Sequence, residues 1–180
     1  MPELHPEVLI SAAEIAQRVQ SLGAAITEDY PKNEPLLLIG VLRGSWIFLA
    51  DLARAIKRPV EIDFLHTSSY GAGTKSSGEV KLVQDLSTCV EGMHVIVVED
   101  IVDTGITLDY LLRVLHQRHP KSLAIASFLD KPSRRQRPVE IRYCGFSVPN
   151  RFVVGYGLDA NGEFRNLPDL CAIDEGESGD

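Results

Sequence analysis

Twice along the chain a run of apolar residues stops at a short polar turn containing glycine and resumes with helical spacing. Leu36 to Leu42 is apolar throughout; Arg43-Gly44-Ser45 follows, and then Leu49, Leu52, Ala53 and Ile56 fall at i, i+3, i+4, i+7. Val95 to Val98 is β-branched at every position, as in strands buried on both faces of a parallel sheet. A polar stretch comes next, and Leu108, Leu111, Leu112 and Leu115 then repeat the helical spacing. Around these two strand–turn–helix units the pattern predicts further elements. Ser11-Ala12-Ala13-Glu14 reads as a capping box opening a helix whose apolar face holds Ile15, Val19 and Leu22, with Gly23 as its stop. Pro31 to Pro35 is a turn. Val60-Glu61-Ile62-Asp63-Phe64 alternates with period two, as in a strand with one wetter face. His66 to Glu79 is rich in Ser, Gly and Thr without helical periodicity, and Val80 to Val83 suits the returning strand of a flap. Leu123 to Phe128 and Val139 to Cys144 complete the strands. Strands alternating with helices predict an α/β fold with a doubly wound parallel sheet.

Composition narrows the class. The chain has 180 residues, 44% hydrophobic and 24% charged, which suits one soluble domain with a small appended lobe. The longest apolar run, Leu36 to Leu42, is far too short to cross a bilayer, and the N-terminus has neither a basic region nor an apolar signal core. Cys89, Cys144 and Cys171 are odd in number and lack metal-ligand spacing, so free thiols in the cytoplasm are expected. The net charge of −7 argues against a nucleic-acid surface. Arg134-Arg135-Gln136-Arg137, the one dense basic cluster, reads as an exposed loop or subunit contact.

The chemistry concentrates between the second strand and its helix, in Glu99-Asp100-Ile101-Val102-Asp103-Thr104-Gly105-Ile106-Thr107. The backbone N–H groups at such a helix start lack partners and suit a phosphate. An acidic pair just before an anion site makes sense only if the ligand presents hydroxyls or Mg²⁺ to the carboxylates and phosphate further along. A ribose phosphate has that layout. The plainer reading is a turn whose acidic residues stabilise the helix N-terminus by roughly 0.3–1 kcal/mol each.

This stretch, with Val98 before it, resembles the phosphoribosyl-diphosphate-binding motif of the type I phosphoribosyltransferases, in the form of the hypoxanthine/guanine branch. The resemblance implies a core of about residues 11–147, a small hood from about 1–10 and 148–180, and a flexible flap, together one domain spanning 1–180. It implies that Glu99 and Asp100 bind the ribose, and that Asp103, Thr104, Gly105, Ile106 and Thr107 bind the 5′-phosphate. Asp103 is also the implied general base. Arg43, Gly44, Ser69, Tyr70 and Arg165 would contact the diphosphate, Arg43 standing where relatives often have Lys. His66 and Ser68 occupy places where relatives can carry basic residues. Ile101, Lys131, Phe152 and Val153 would contact the purine, Lys131 donating to its 6-oxo group. Glu99, Asp100 and Asp159 would hold Mg²⁺.

The implied reaction joins hypoxanthine or guanine to 5-phospho-α-D-ribosyl 1-diphosphate, releasing diphosphate. A phosphoribosyltransferase for another base, such as xanthine, and a non-enzymatic sensor of the diphosphate on the same fold are the alternatives. The sensor would need a DNA-binding appendage or basic face, and neither length nor charge supplies one. Relatives are commonly dimers or tetramers, so a homo-oligomer with no membrane partner is expected.

Overall fold

The computed structural model describes residues 7–69 and 80–173. Its elements run β1 (Glu7–Ile10), α1 (Ala12–Asp29), β2 (Leu36–Leu42), α2 (Trp46–Ala55), β3 (Glu61–Ser69) and β4 (Val80–Gln84). They continue as β5 (His94–Val102), α3 (Ile106–His116), β6 (Ser122–Asp130), a 3-10 turn (Pro132–Arg134), β7 (Tyr143–Ser147), β8 (Phe152–Val154) and β9 (Leu170–Ile173). The main sheet has the order β4-β3-β2-β5-β6-β7, parallel except where β4 runs antiparallel to β3. A second, three-stranded sheet has the order β1-β9-β8.

The continuous apolar runs exist because the main sheet is covered on both faces. Leu36 and Leu38 of β2 pack into the cluster under α1 and α2, while Leu37 and Ile39 pack into the cluster under α3. β5 divides in the same way, with Ile96 and Val98 on one face and Val95 and Val97 on the other. Each such side chain contributes roughly 1.5–3 kcal/mol by leaving water. This is the doubly wound α/β arrangement expected. Among the described residues no helix is long and apolar enough to cross a membrane.

Several local expectations need correction. The capping box forms, Ser11 Oγ accepting from the Glu14 amide, but α1 does not stop at Gly23. A Cβ on Gly23 would come 2.5 Å from the Ala55 Cβ, so this glycine lets α1 cross close to α2. In β3 the expected alternation is reversed: Ile62 is 46% exposed and Asp63 is buried at 8%. Asp63 Oδ2 accepts the amides of Ser87 and Thr88, both at 2.8 Å, which satisfies the buried carboxylate. β5 runs on through Glu99 and Asp100 to Val102 instead of ending at Val98. The last strand of the main sheet starts at Tyr143, and Val139 and Ile141 pack against the α3 cluster from irregular backbone. Residues 70–79 of the expected flap and the acidic tail from 174 lie outside the described residues.

Candidate active site

The C-terminal ends of β2, β5 and β6 converge on one edge of the sheet, the place where open α/β sheets bind ligands. Three loops meet there, and the segment after β8 closes them from the side.

After β2 the chain turns through Arg43, Gly44 and Ser45, with a cis peptide bond between Leu42 and Arg43. Ser45 Oγ donates to the Val41 carbonyl at 2.7 Å, so its hydroxyl braces the turn. Arg43 is exposed and Gly44 is buried. Gly44 abuts Asp100, and a Cβ at Gly157 would lie 2.3 Å from the Gly44 carbonyl oxygen. No side chain fits at either position.

β5 carries Glu99 and Asp100 into this junction. Glu99 is 7% exposed, and burial, reinforced by the neighbouring Asp100 charge, raises its pKa well above the usual carboxylate range. Burial likewise pushes Asp100 up to about 6, partly opposed by the Ile101 N–H that it accepts at 2.7 Å. Arg165 lowers the Asp100 value further, and Asp159 raises it. A buried and a partly buried acid, consecutive on β5, are thus held at an electrostatic cost that a cation or a hydroxyl-bearing ligand would relieve.

Beyond β5, Glu99, Ile101 to Gly105, Thr107 and Leu108 line one cleft at the start of α3. Gly105 is the N-cap, with φ +80°, and no side chain caps the helix. A Cβ there would also meet the Arg137 carbonyl oxygen at 2.6 Å. Thr104 Oγ1 touches the Ile106 N–H only at a long 3.4 Å. The helix start is therefore a set of donors suited to a phosphate. Asp103 does not cap the helix: its Oδ1 lies 2.9 Å from Arg134 Nε. The basic cluster is the exposed loop expected, with Arg134, Gln136 and Arg137 exposed. Two of its arginines also pair with acids of the chain, Arg134 with Asp103 and Arg135 with Asp130.

Lys131 follows β6 and is 8% exposed, its Nζ donating to the Arg151 carbonyl at 2.6 Å. Burial lowers its pKa, while Asp103 raises it and Arg134 lowers it again. Phe152 is 43% exposed at the start of β8, and Val153 beside it is buried. Asp159 Oδ1 pairs with Arg165 Nη2 at 2.5 Å and its Oδ2 accepts the Gly162 amide at 2.8 Å. Arg165 Nη1 donates to the Gly157 carbonyl at 2.7 Å, tying this segment to the Gly44 junction.

The fold thus brings Gly44, Asp100, Gly157, Asp159 and Arg165 to one junction. Glu99, Ile101, Asp103, Thr104, Gly105 and Thr107 line the adjoining cleft. Ser69 ends β3, and Tyr70 lies outside the described residues. Arg134 and Gly157 are the neighbours that sequence reasoning missed. The density of cations just after Lys131 was the available signal for Arg134.

A Mg²⁺ ion usually takes one or two carboxylates and completes its shell with water and substrate phosphates. Among the described residues no three acidic, His or Cys side chains form a ready cage. Glu99 and Asp100 are consecutive on β5 and so face opposite sides of the strand, Glu99 toward the α3 cleft and Asp100 toward Gly44. Either carboxylate fits as one ligand of such a partial site, with Asp159 beside Arg165 near Asp100.

The family model of the phosphoribosyl transferase domain matches residues 9–161. Over 162 residues the chain is 49% identical to a hypoxanthine-guanine phosphoribosyltransferase of Bacillus subtilis, covering 90% of this chain and 89% of that protein. It is 47% identical over 163 residues to a hypoxanthine phosphoribosyltransferase of Salmonella typhimurium, covering 90% and 92% of the two. Its fold matches the crystal structure of a hypoxanthine phosphoribosyltransferase from Staphylococcus aureus with a TM-score of 0.92. That match has 40% identity and covers 99% of this chain and 96% of the other. The chain belongs to the phosphoribosyl transferase domain family, as its β5–α3 motif led us to expect.

Proposed function

We propose that this protein is a purine-salvage hypoxanthine phosphoribosyltransferase. It transfers the 5-phosphoribosyl group from 5-phospho-α-D-ribosyl 1-diphosphate to hypoxanthine or guanine, giving IMP or GMP and diphosphate. The observation that carries the reading is the buried Glu99 with the partly buried Asp100 next to it, beside the donors at the start of α3. The names of the relatives support the choice of base.

Each part of the site has a task in this reading. The donors of Thr104 to Thr107, with the two Thr hydroxyls, hold the 5′-phosphate and so fix C1 against the purine. Glu99 and Asp100 accept hydrogen bonds from the ribose hydroxyls and favour the positive charge that grows on the sugar as diphosphate leaves. Arg43, Gly44, Ser69, Tyr70 and the paired Asp159–Arg165 attend the diphosphate. Lys131 donates to the purine 6-oxo group, Phe152 stacks on the ring, and Ile101 and Val153 line its edge. Asp103 takes the N7 proton as C1 bonds to the base. Glu99, Asp100 and Asp159 are the residues that would hold Mg²⁺, which when bound would supply charge neutralisation for the diphosphate.

In this reading residues 1–180 form one phosphoribosyltransferase domain, with the β1-β9-β8 sheet as its hood. The protein is cytoplasmic, consistent with three free cysteines. It forms a homodimer or homotetramer, for which the exposed Trp46 and Ile62 offer apolar surface. Purified protein incubated with the diphosphate, Mg²⁺ and a panel of bases tests the reaction. Nucleotide formation from hypoxanthine or guanine is expected, and none from either base would overturn it.

A further inference from the structure

The basic run Arg134 to Arg137 wraps the loop between β5 and α3. Gln136 N–H and Arg137 N–H both donate to the Thr104 carbonyl, at 2.9 and 3.0 Å. The Arg137 carbonyl and the Arg135 stem close over Gly105, where a Cβ would meet them at 2.6 and 3.3 Å. Arg135 is anchored to Asp130 at the end of β6. The Arg134 N–H donates to the Lys131 carbonyl at 3.2 Å, and the Lys131 N–H donates to the Val102 carbonyl at 2.9 Å. The strap is therefore fixed at both ends, and one of its half-exposed side chains reaches the acid of the neighbouring loop.

That side chain is Arg134. Its Nε lies 2.9 Å from Asp103 Oδ1, an oxygen closed off from solvent that makes no well-aligned hydrogen bond. The N–H is not aimed straight at the oxygen, so the contact acts through charge. The Asp103 side chain as a whole is 37% exposed, which leaves Oδ2 as the oxygen for a ligand. Lys131 is the second cation that acts on Asp103, and Glu99 is the other acid lining its cleft. A half-exposed ion pair of this kind adds little to stability. Its geometry instead resembles a base oriented by a third group, one carboxylate oxygen anchored and the other presented.

We propose that Arg134 is a positioning residue for phosphoribosyl transfer, anchoring Asp103 Oδ1 so that Oδ2 meets the purine proton. The inference rests on the reading of Asp103 as the general base. It adds that the strap after Lys131 links base recognition to base catalysis, because one short segment carries the purine-facing lysine and the anchor of the proton acceptor.

A double-mutant cycle tests it, with Arg134→Met made in the wild-type and Asp103→Asn backgrounds. In the wild type, Arg134→Met is expected to lower kcat by about ten- to a hundredfold, as for a misplaced catalytic group. The KM for the diphosphate is expected to stay within about twofold, and thermal stability to be nearly unchanged. In the Asp103→Asn background the same substitution is expected to change kcat by less than about twofold, because the group it positions is already gone. If Arg134→Met fails to fold, Arg134→Gln carries the same cycle with the same expectations. Equal losses of kcat in both backgrounds, or a loss confined to KM, would overturn the positioning role. Full activity in Asp103→Asn alone would instead remove the reading of Asp103 on which the inference rests.

Discussion

A methyl group added to Gly44 would come within 1.4 Å of Asp100 Oδ2, so the turn after β2 rests directly on an acid of β5. Gly157 also packs on the Gly44 carbonyl, where a Cβ would come within 2.3 Å of the oxygen. The diphosphate side and the ribose side of the proposed site thus meet where the Gly44 backbone packs on the Asp100 carboxylate. Gly44→Ala is expected to cost about 1–3 kcal/mol through overpacking. This lowers Tm by roughly 2–10 °C and kcat/KM by more than about tenfold. Thermal melts and steady-state kinetics read both; unchanged values would mean the junction yields easily.

Asp103→Asn separates base catalysis from a structural role. Gly105, not Asp103, is the N-cap of α3, and the Arg134 pair that is lost is half exposed. Near-normal thermal stability is therefore expected, with nucleotide synthesis slower by about two orders of magnitude or more. A variant as fast as the wild type would exclude Asp103 as the base.

The desolvated acids at the end of β5 make stability depend on pH in a definite direction. Asp100 in the folded protein has a pKa of about 6, raised by burial, against about 3.9 in an unfolded chain. Between those values the folded state holds a proton that the unfolded state has released, so stability falls as pH rises from about 4 to 6 and stays lowered above. Asp100→Asn removes this cost and relieves Glu99, whose pKa is raised in part by the Asp100 charge. Metal-free Asp100→Asn is expected to melt above the wild type at pH values over about 6 and to converge with it near pH 4. Calorimetry in chelator across this range is the check, and a lower Tm at neutral pH would contradict it. The same substitution is expected to abolish most activity.

Lys131 makes base choice testable. Its ammonium is a donor only and meets the 6-oxo group of hypoxanthine or guanine, whereas the 6-amino group of adenine presents donors to it. Adenine turnover is expected to be lower by about 10⁴-fold, the scale seen when buried polar groups are left unmatched. Comparable rates with adenine and hypoxanthine would rule out this contact.

What could be read from the sequence followed from how local its cause was. Leu36–Leu42 and Val95–Val98 were legible because both faces of the sheet are covered, so every position had to be apolar. The phosphate loop was legible because strand, turn and helix are contiguous. Gly23 was misread because its reason is Ala55 on another helix. Asp63 was misread because the amides that satisfy it belong to Ser87 and Thr88, far along the chain. Arg134 was rightly read as exposed, but its pairing with Asp103 was not legible because that partner lies on another loop.

The small sheet has β9 in the middle, with β1 and β8 each hydrogen-bonded to it in that sheet. A ribosome therefore delivers the keystone after every other described strand. Until Leu170–Ile173 emerges, Glu7–Ile10 and Phe152–Val154 have no partner in that sheet, although the whole main sheet has already been made. The Phe152–Val153 wall proposed to cover the purine is assembled last, on a finished platform that already holds Ile101 and Lys131. A nascent chain can acquire its phosphate end, and the Lys131 proposed to read the 6-oxo group, well before the Phe152 wall proposed to stack on the base.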